Sequence, residues 1–365
     1  MKPFKNIYLS AIHQNAGKTT IALGLYRLFK EKGFKTAFMK PVGQKYVTVK
    51  DKQVDKDSYL IGEVFHCWQK FKEMSPITVA RGFTERYIFH PNKEVLRNEI
   101  KKSFQVLCRK KDAIIIEGTG HAGVGSVIDF SNADVASLLG SKLIIVSEGG
   151  IGKSIDEIML NKALFDLKGV ELLGVIINKV LPEKYGKIKK NLSRGLQNKG
   201  IRLLGVIPVA PLLSFPTVEQ VMTQLDLSLL CGKSNLSNRV ENTIVAAMEP
   251  YNMMAYIREG TLVLTSGDRV DNILVSISSH LLSRGKDFHV SGIILTGGLM
   301  PNPRIIDLLK KSKIPVLLSD DDTFTVAAKV KSLTCKIEKT DKDKIEQATQ
   351  LVRRHVDVGM ILKYL

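Results

Sequence analysis

The sequence has no run approaching the roughly 18 consecutive apolar residues that a membrane span demands. Its first residues, Met1-Lys2-Pro3-Phe4-Lys5, enter a short apolar run that meets glycine and lysine by position 17, too early and too polar for a signal peptide. Both absences point to a soluble, cytoplasmic protein with no membrane partner. Cysteine is scarce, and Cys67, Cys108, Cys231 and Cys335 lack C-x-x-C spacing, which fits reduced thiols rather than disulfides or structural zinc. Aromatic residues make up only 7% and are not interleaved with the lysines, so a base-stacking surface for nucleic acid is not expected. No internal repeat or low-complexity tract is present.

What is there is an ordinary globular composition, 44% hydrophobic and 25% charged, in a 365-residue chain long enough for two domains. The formal net charge of +18 comes from lysines spread over 50–56, 184–190, 310–313 and 336–344. That distribution describes a solvated basic surface that also favours anionic nucleotides, not a DNA-binding or membrane-binding patch.

Residues 5–11 read as a buried strand and 18–32 as a helix, with Gly33 placed to cap it. Further apolar runs at 36–41, 113–116, 143–146, 173–177 and 203–207 alternate with helical stretches, the pattern of a parallel sheet covered on both faces. The prolines of Pro208-Val209-Ala210-Pro211 suggest a boundary, after which runs at 243–247, 261–265, 290–295 and 315–318 restart the α/β alternation. The expected organisation is a doubly wound, mainly parallel α/β domain over 1–210, a smaller α/β domain over 211–340, and a terminal helix with a frayed end over 341–365.

Between the first strand and helix lies Asn15-Ala16-Gly17-Lys18-Thr19-Thr20. A glycine-rich turn lets backbone amides face phosphate oxygens, lysine reaches the β/γ-phosphates, and a hydroxyl ligates Mg2+. Lys18 and Thr19 fit those last two roles, so the loop predicts ATP and Mg2+ as cofactors. The standard first glycine would fall at position 12, where Ile12 stands, or at Ala11 with one extra loop residue. Position 13, which carries a partner-crossing lysine in some P-loop ATPases, is His13, so a composite ATPase dimer of that kind is not expected.

Other candidates sit at strand ends, where doubly wound folds gather ligands. Lys40 could neutralise charge on a transferred phosphoryl group or be an ordinary strand-end lysine. Glu117, followed by Gly118, Gly120, Gly123 and Gly125, pairs with Asp57 or Asp55 as a candidate Mg2+ set, one aspartate alternatively serving as a helix N-cap. Asn178 could pair with adenine or simply form a turn. His121 has no evident partner and reads as structural.

These motifs, together with Lys40-Pro41-Val42, Glu117-Gly118-Thr119-Gly120, Gly174-Val175-Ile176-Ile177-Asn178 and Gly205-Val206-Ile207-Pro208, resemble dethiobiotin synthetase and its relatives. The resemblance implies phosphate binding by Gly17, Lys18 and Thr19, catalytic roles for Lys18 and Lys40, Mg2+ at Thr19, Asp57 and Glu117, and adenine contact by Asn178. The second half resembles a DRTGG domain through Gly267-Asp268-Arg269 and Thr296-Gly297-Gly298. There Asp268, Arg269, Thr296, Gly297 and Gly298 are candidates for a second, small-molecule ligand, the glycines either cradling an anion or only making turns.

The two together are similar to the N-terminal region of long-form phosphate acetyltransferase, without its acetyltransferase domain, so acetyl transfer is not expected. Gln14-Asn15-Ala16 stands where dethiobiotin synthetases carry Thr-Glu-Val, and Gly43-Gln44-Lys45-Tyr46 lacks the serine-glycine turn that would admit a diamino acid. The expected function is therefore a Mg-ATP-binding regulatory module with weak or conditional ATPase activity. The alternative is a carboxylate-activating ligase of the dethiobiotin synthetase or cobyrinate amide synthase type. Related architectures imply a homo-oligomer.

Overall fold

The apolar runs of the first half become strands buried on both faces; in Ala113–Glu117 every residue is buried. The computed structural model describes residues 4–67, 70–282, 290–333 and 335–365. The chain divides into two units, Met1–Ala210 with Ile337–Leu365, and Pro211–Lys336. Among the described residues no helix is long and apolar enough to cross a membrane.

In the first unit β1 (Lys5–Ala11) leads through α1 (Lys18–Glu31) to β2 (Thr36–Met39). The short strands β3 (Val42–Gly43), β4 (Tyr46–Val49) and β5 (Lys52–Asp55) follow, then α2 (Lys56–Val64), α3 (Phe71–Met74), β6 (Ile77–Thr78), α4 (Phe83–Phe89) and α5 (Lys93–Cys108). Next come β7 (Ala113–Glu117), α6 (Asn132–Leu138), β8 (Lys142–Glu148), α7 (Gly152–Leu167), β9 (Leu172–Val180), α8 (Tyr185–Gln197) and β10 (Leu203–Pro208). Six of these strands form one sheet in the order β10-β9-β8-β1-β7-β2, all neighbours parallel. This is the doubly wound α/β arrangement expected, and β1 lies between β7 and β8, so the carboxyl ends of all three open onto the same edge.

The antiparallel hairpin of β4 and β5 turns through Lys50 and Asp51, both at positive φ (46° and 62°). Its end sets up α2: the Asp55 side chain accepts from the Asp57 amide, so the helix begins at Lys56 and takes Asp57 into its first turn.

The second unit holds α9 (Val218–Leu225), β11 (Ser228–Cys231), β12 (Asn242–Val245), α10 (Pro250–Met254), β13 (Thr261–Ser266), α11 (Val270–Leu282), β14 (Val290–Thr296), α12 (Pro303–Ser312), β15 (Val316–Leu318) and α13 (Thr323–Lys331). Its described strands form a sheet ordered β11-β15-β14-β13-β12, parallel except for β11. Ile273, Ile277 and Leu309 pack with Val263 and Ile293 on one face. Val221, Val326 and Val330 pack with Leu262, Leu264 and Ile294 on the other.

Residues 337–365 do not fray. They return to the first unit as α14 (Lys342–His355) and α15 (Val358–Tyr364). The physical reason is an apolar stripe, Ile345, Ala348, Leu351 and Val352, buried on α14. Gly24 of α1 lies against Val352 and Ala348, and Asp357 donates its amide to the Leu204 carbonyl of β10 at 2.8 Å.

Candidate functional site

The P-loop begins as a continuation of the sheet. Ala11 donates its amide to the Gly120 carbonyl at 3.2 Å, and Ile12 to the Val146 carbonyl at 3.1 Å. Position 12 is thus bonded to β8 and is not among the positions of positive φ, so it needs no glycine, and this accounts for the departure from the usual loop pattern. The chain then reverses through Asn15 (φ 63°) and Gly17 (φ 97°), the two positions at positive φ in the loop.

Gly17 caps α1 without a side-chain hydrogen bond, and the first turn of α1 carries no acidic residue. A helix start with no side-chain cap from its N-cap residue and no acid in its first turn suits a phosphate, which its amides and dipole would meet. Ala16 is buried beneath the loop, and Lys18, also buried, opens the helix with Thr19 and Thr20 beside it.

Around this helix end the structure gathers Thr19, Lys40, Asp57 and Glu117. The Thr19 hydroxyl donates to Glu117 Oε1 at 2.9 Å. Lys40 Nζ pairs with Asp57 Oδ2 and lies 3.3 Å from Glu117 Oε1 and 3.9 Å from Asp55 Oδ1. All four charged groups are buried. Burial pushes the Lys40 ammonium down, but the carboxylates of Asp57, Glu117 and Asp55 outweigh it and hold its pKa well above the ordinary value. Lys40 is accordingly a cation whose charge is spent on the acids beside it. One hydroxyl and two carboxylates converging in this way could hold a hard cation such as Mg2+. Asp55 is the capping residue of the pair of aspartates, and Asp57 the one in contact.

Asn178 meets the P-loop itself. Its Nδ2 donates to the Ala16 carbonyl at 2.9 Å, and a β-carbon on Gly17 would overlap it. The side chain thus braces the P-loop from the end of β9. A second brace was not legible from the motifs: Lys179 Nζ donates to the Asn15 carbonyl and to Glu148 Oε1, each at 2.7 Å, and Glu148 Oε2 lies 3.3 Å from His13 Nε2. Glu148 ends β8, so the strand-end rule that selected Glu117 would have selected it too.

Asn132 was also missed. Its Oδ1 accepts from the Tyr8 hydroxyl at 2.8 Å and from the Thr119 amide at 3.1 Å, while its Nδ2 donates to the Thr119 and His121 carbonyls. This side chain ties down the loop that follows Glu117. Burial raises the Tyr8 phenol above its ordinary range, Lys40 opposing and Glu117 reinforcing, so it remains a neutral donor. His121 contributes its carbonyl to the clamp and its Nδ1 as acceptor for the Gly123 amide, the structural role expected of it.

In the second unit Arg269 forms a two-pronged pair with Asp271, at 3.0 and 2.9 Å, while Asp268 is exposed beside it. Thr296 shares a 2.6 Å hydrogen bond with Thr323. The Gly297 amide donates to the Asp321 carbonyl at 2.8 Å and the Gly298 amide to the Ser319 carbonyl at 3.0 Å. Both glycines lie at positive φ (78° and 65°). Their amides are used within the fold, so the anion-cradling reading of these glycines gives way to the turn-making one.

Two known families match this chain. The AAA domain family matches residues 5–217. The chain belongs to that family. The DRTGG domain matches residues 220–333, behind the AAA domain. Phosphate acetyltransferase from Nitratidesulfovibrio vulgaris is 30% identical over 370 residues, covering 96% of this chain and 50% of the relative. That from Synechocystis sp. is 26% identical over 370 residues, covering 99% and 52%. The chain therefore spans about half the length of the curated relatives it matches. Among solved structures, the CBS and DRTGG domains of the regulatory region of Clostridium perfringens pyrophosphatase, complexed with diadenosine tetraphosphate, align with a TM-score of 0.27 at 21% identity, covering 43% of this chain and 73% of that one.

Proposed function

We propose that the AAA domain binds ATP with Mg2+ at the carboxyl edge of its sheet, and that the DRTGG domain takes a second small-molecule ligand. The protein is then a nucleotide-binding regulatory module with weak or conditional ATPase activity. The observation that carries the reading is the uncapped, acid-free start of α1 facing the buried group of Thr19, Lys40, Asp57 and Glu117.

In this reading the amides of Gly17 to Thr19 and the Lys18 ammonium hold the phosphates. Thr19, Asp57 and Glu117 would hold Mg2+, which when bound neutralises phosphate charge. Lys40, itself balanced by acids, sets how much negative charge the site carries and would help neutralise a bound phosphate. Asn178 contributes by fixing the loop and, with its remaining amide hydrogen, stays a candidate for adenine. For the second ligand, Asp268, Arg269 and Thr296 remain the candidates. Support comes from Thr265 Oγ1 and Asn272 Oδ1, buried without a hydrogen-bond partner among the described residues, polar capacity that a ligand or ordered water would satisfy.

Titration of a fluorescent ATP analogue with and without Mg2+ tests the proposal. Binding should strengthen with Mg2+ and weaken by at least about tenfold in Lys18→Ala, a loss of about 1.4 kcal/mol. Absence of binding, or indifference to Lys18→Ala, would overturn it. ADP release measured with bicarbonate and candidate amines separates the ligase alternative: substrate-dependent turnover would replace the regulatory reading.

A further inference from the structure

We propose that the second ligand, held by the DRTGG domain, is an organic ammonium cation carrying a further, neutral N–H group. It binds at the carboxyl edge of β12, β13, β14 and β15, where Asp268 and Asp320 meet its charge and Thr265 and Asn272 its neutral end. This assignment rests on the reading that the domain takes a small molecule, and names the chemistry of that molecule.

The four parallel strands end on one edge, and in a chain of net charge +18 that edge is acidic. Residues 246–249, 267–271, 297–302 and 319–322, which follow the four strands in turn, hold six carboxylates against one arginine and no lysine. Two of the acids flank one turn. A β-carbon on Gly267, the neighbour of Asp268, would strike the Leu299 carbonyl, and one on Gly298 would lie 3.4 Å from Asp320 Oδ1. Arg269 and Lys329 are taken by Asp271 and Asp321. Asp268 and Asp320 are exposed and make no ion pair among the described residues.

The groups on this edge that could hold an anion are already engaged. Arg269 is forked onto Asp271, and the Gly297 and Gly298 amides donate to the Asp321 and Ser319 carbonyls. Asp271 stands in the first turn of α11. Asp322 caps α13, accepting from the Phe324 and Thr325 amides. Both helix starts therefore have a carboxylate at their positive end, which disfavours a phosphate there.

The unmet hydrogen-bonding capacity calls for a donor. Thr265 lies two residues beyond Val263 on β13 and so shares the face on which Val263 packs with Ile273 of α11. Asn272, in the first turn of α11, is tied to the end of β12 by its Nδ2, which donates to the Ala246 carbonyl at 2.8 Å. Both residues are buried, at 1% and 0% exposure. Thr265 Oγ1 and Asn272 Oδ1 have no hydrogen-bond partner among the described residues. An amide oxygen can only accept, so Asn272 Oδ1 is suited to an N–H group and not to a phosphate oxygen. Thr296 is not part of this pair, because its hydroxyl is engaged with Thr323.

Carboxylates at the rim and neutral acceptors beneath fit a ligand with an ammonium at one end and an uncharged N–H group at the other, since a buried charge facing neutral partners is costly. Among the described residues no three His, Cys, Asp or Glu side chains converge to hold a metal ion. Phe324, exposed in the first turn of α13, adds an aromatic face beside Asp322, to which an ammonium is attracted.

Calorimetric titration of the full chain, with Mg-ATP present, tests this using mono-N-acetylated diaminobutane, which has one ammonium and one amide N–H. It should bind, and butylammonium, which lacks the second N–H, should bind about fivefold more weakly. Asp268→Asn combined with Asp320→Asn, both exposed, should weaken binding of the acetylated diamine by at least about tenfold. Thr265→Val removes a hydroxyl that has no partner in the fold, so urea unfolding should show no loss of stability while binding weakens about fivefold. No binding of the acetylated diamine would overturn the proposal. So would full affinity in Thr265→Val, which would mean a counterion at the surface only. Should ADP bind instead, in a manner abolished by Arg269→Ala, the small-molecule reading would stand and the ammonium assignment fall; should neither bind, both fall.

Discussion

The Asn178 side chain donates to the Ala16 carbonyl at 2.9 Å and fills the space that a side chain on Gly17 would need. The loop proposed to meet the phosphates is thus held from the end of β9, two strands along the sheet from β1 and 162 positions away in sequence. Preorganisation of this kind lowers the entropy cost of binding.

Gly17→Ala should therefore damage the loop twice. A non-glycine residue at φ 97° costs about 1–3 kcal/mol in strain, and the new methyl would also displace Asn178. ATP binding should fall below detection in Gly17→Ala and only weaken in Asn178→Ala, which removes the brace but not the turn. Equal losses in the two variants, read by titration, would show that the turn geometry is not what matters.

Lys40 should be worth more to stability than to any catalytic step. Lys40→Met removes a buried cation from beside Asp57, Glu117 and Asp55, a change costing about 3–5 kcal/mol when a buried pair is broken from one side. Millimolar Mg2+ should raise the melting temperature of Lys40→Met more than that of the wild type. The folded pKa of Lys40 lies above the ordinary 10.5, so its contribution is fully present below pH 10.5 and lost only as pH rises through the higher folded value. Thermal melts between pH 7 and about 10 should show no Lys40-dependent slope.

Gly24 offers a contest between two effects of opposite sign. In a solvent-facing helix, Gly→Ala would gain about 1 kcal/mol of helix propensity. Here the added methyl would run into the Val352 side chain and approach the Ala348 carbonyl on α14, and overpacking costs about 1–3 kcal/mol. Net destabilisation of Gly24→Ala is expected in urea unfolding. A gain would mean that α14 does not press on α1.

The parts legible in the sequence were those with local signals. β1, the glycine turn and α1 follow one another within about thirty residues, and Glu117 announces itself by the glycines behind it. What was illegible depends on distant partners or on turns without their usual residues. Asn178 reads as an adenine contact or a turn residue, and its brace on Ala16 is invisible before the fold is known, just as nothing local says that Asp321 and Ser319 take the Gly297 and Gly298 amides. The β4–β5 hairpin turns through Lys50 and Asp51, with no glycine or asparagine at either position of positive φ to mark it. Residues 341–365 resemble a loose end because the surface that orders them lies on α1 and β10.

His355, at the end of α14, should make stability fall in mild acid. Tyr185 donates its hydroxyl to the Val206 carbonyl at 2.9 Å, and His355 Nδ1 lies 3.2 Å from the Tyr185 hydroxyl oxygen. Burial, followed by Arg354 and Lys189, holds the imidazole pKa below the ordinary 6.5. The neutral ring is the form the fold accommodates. Above pH 6.5 both folded and unfolded chains keep it neutral and its contribution is intact. As pH falls below 6.5 the unfolded chain takes up the proton first, and stability drops until the folded pKa is passed. One group can supply at most about 1.4 kcal/mol per pH unit. Urea unfolding of wild type and His355→Gln between pH 5 and 8 should show a smaller acid-side slope in the variant. Parallel profiles would mean that the neutral imidazole adds nothing to the anchoring of α14 by its buried apolar stripe.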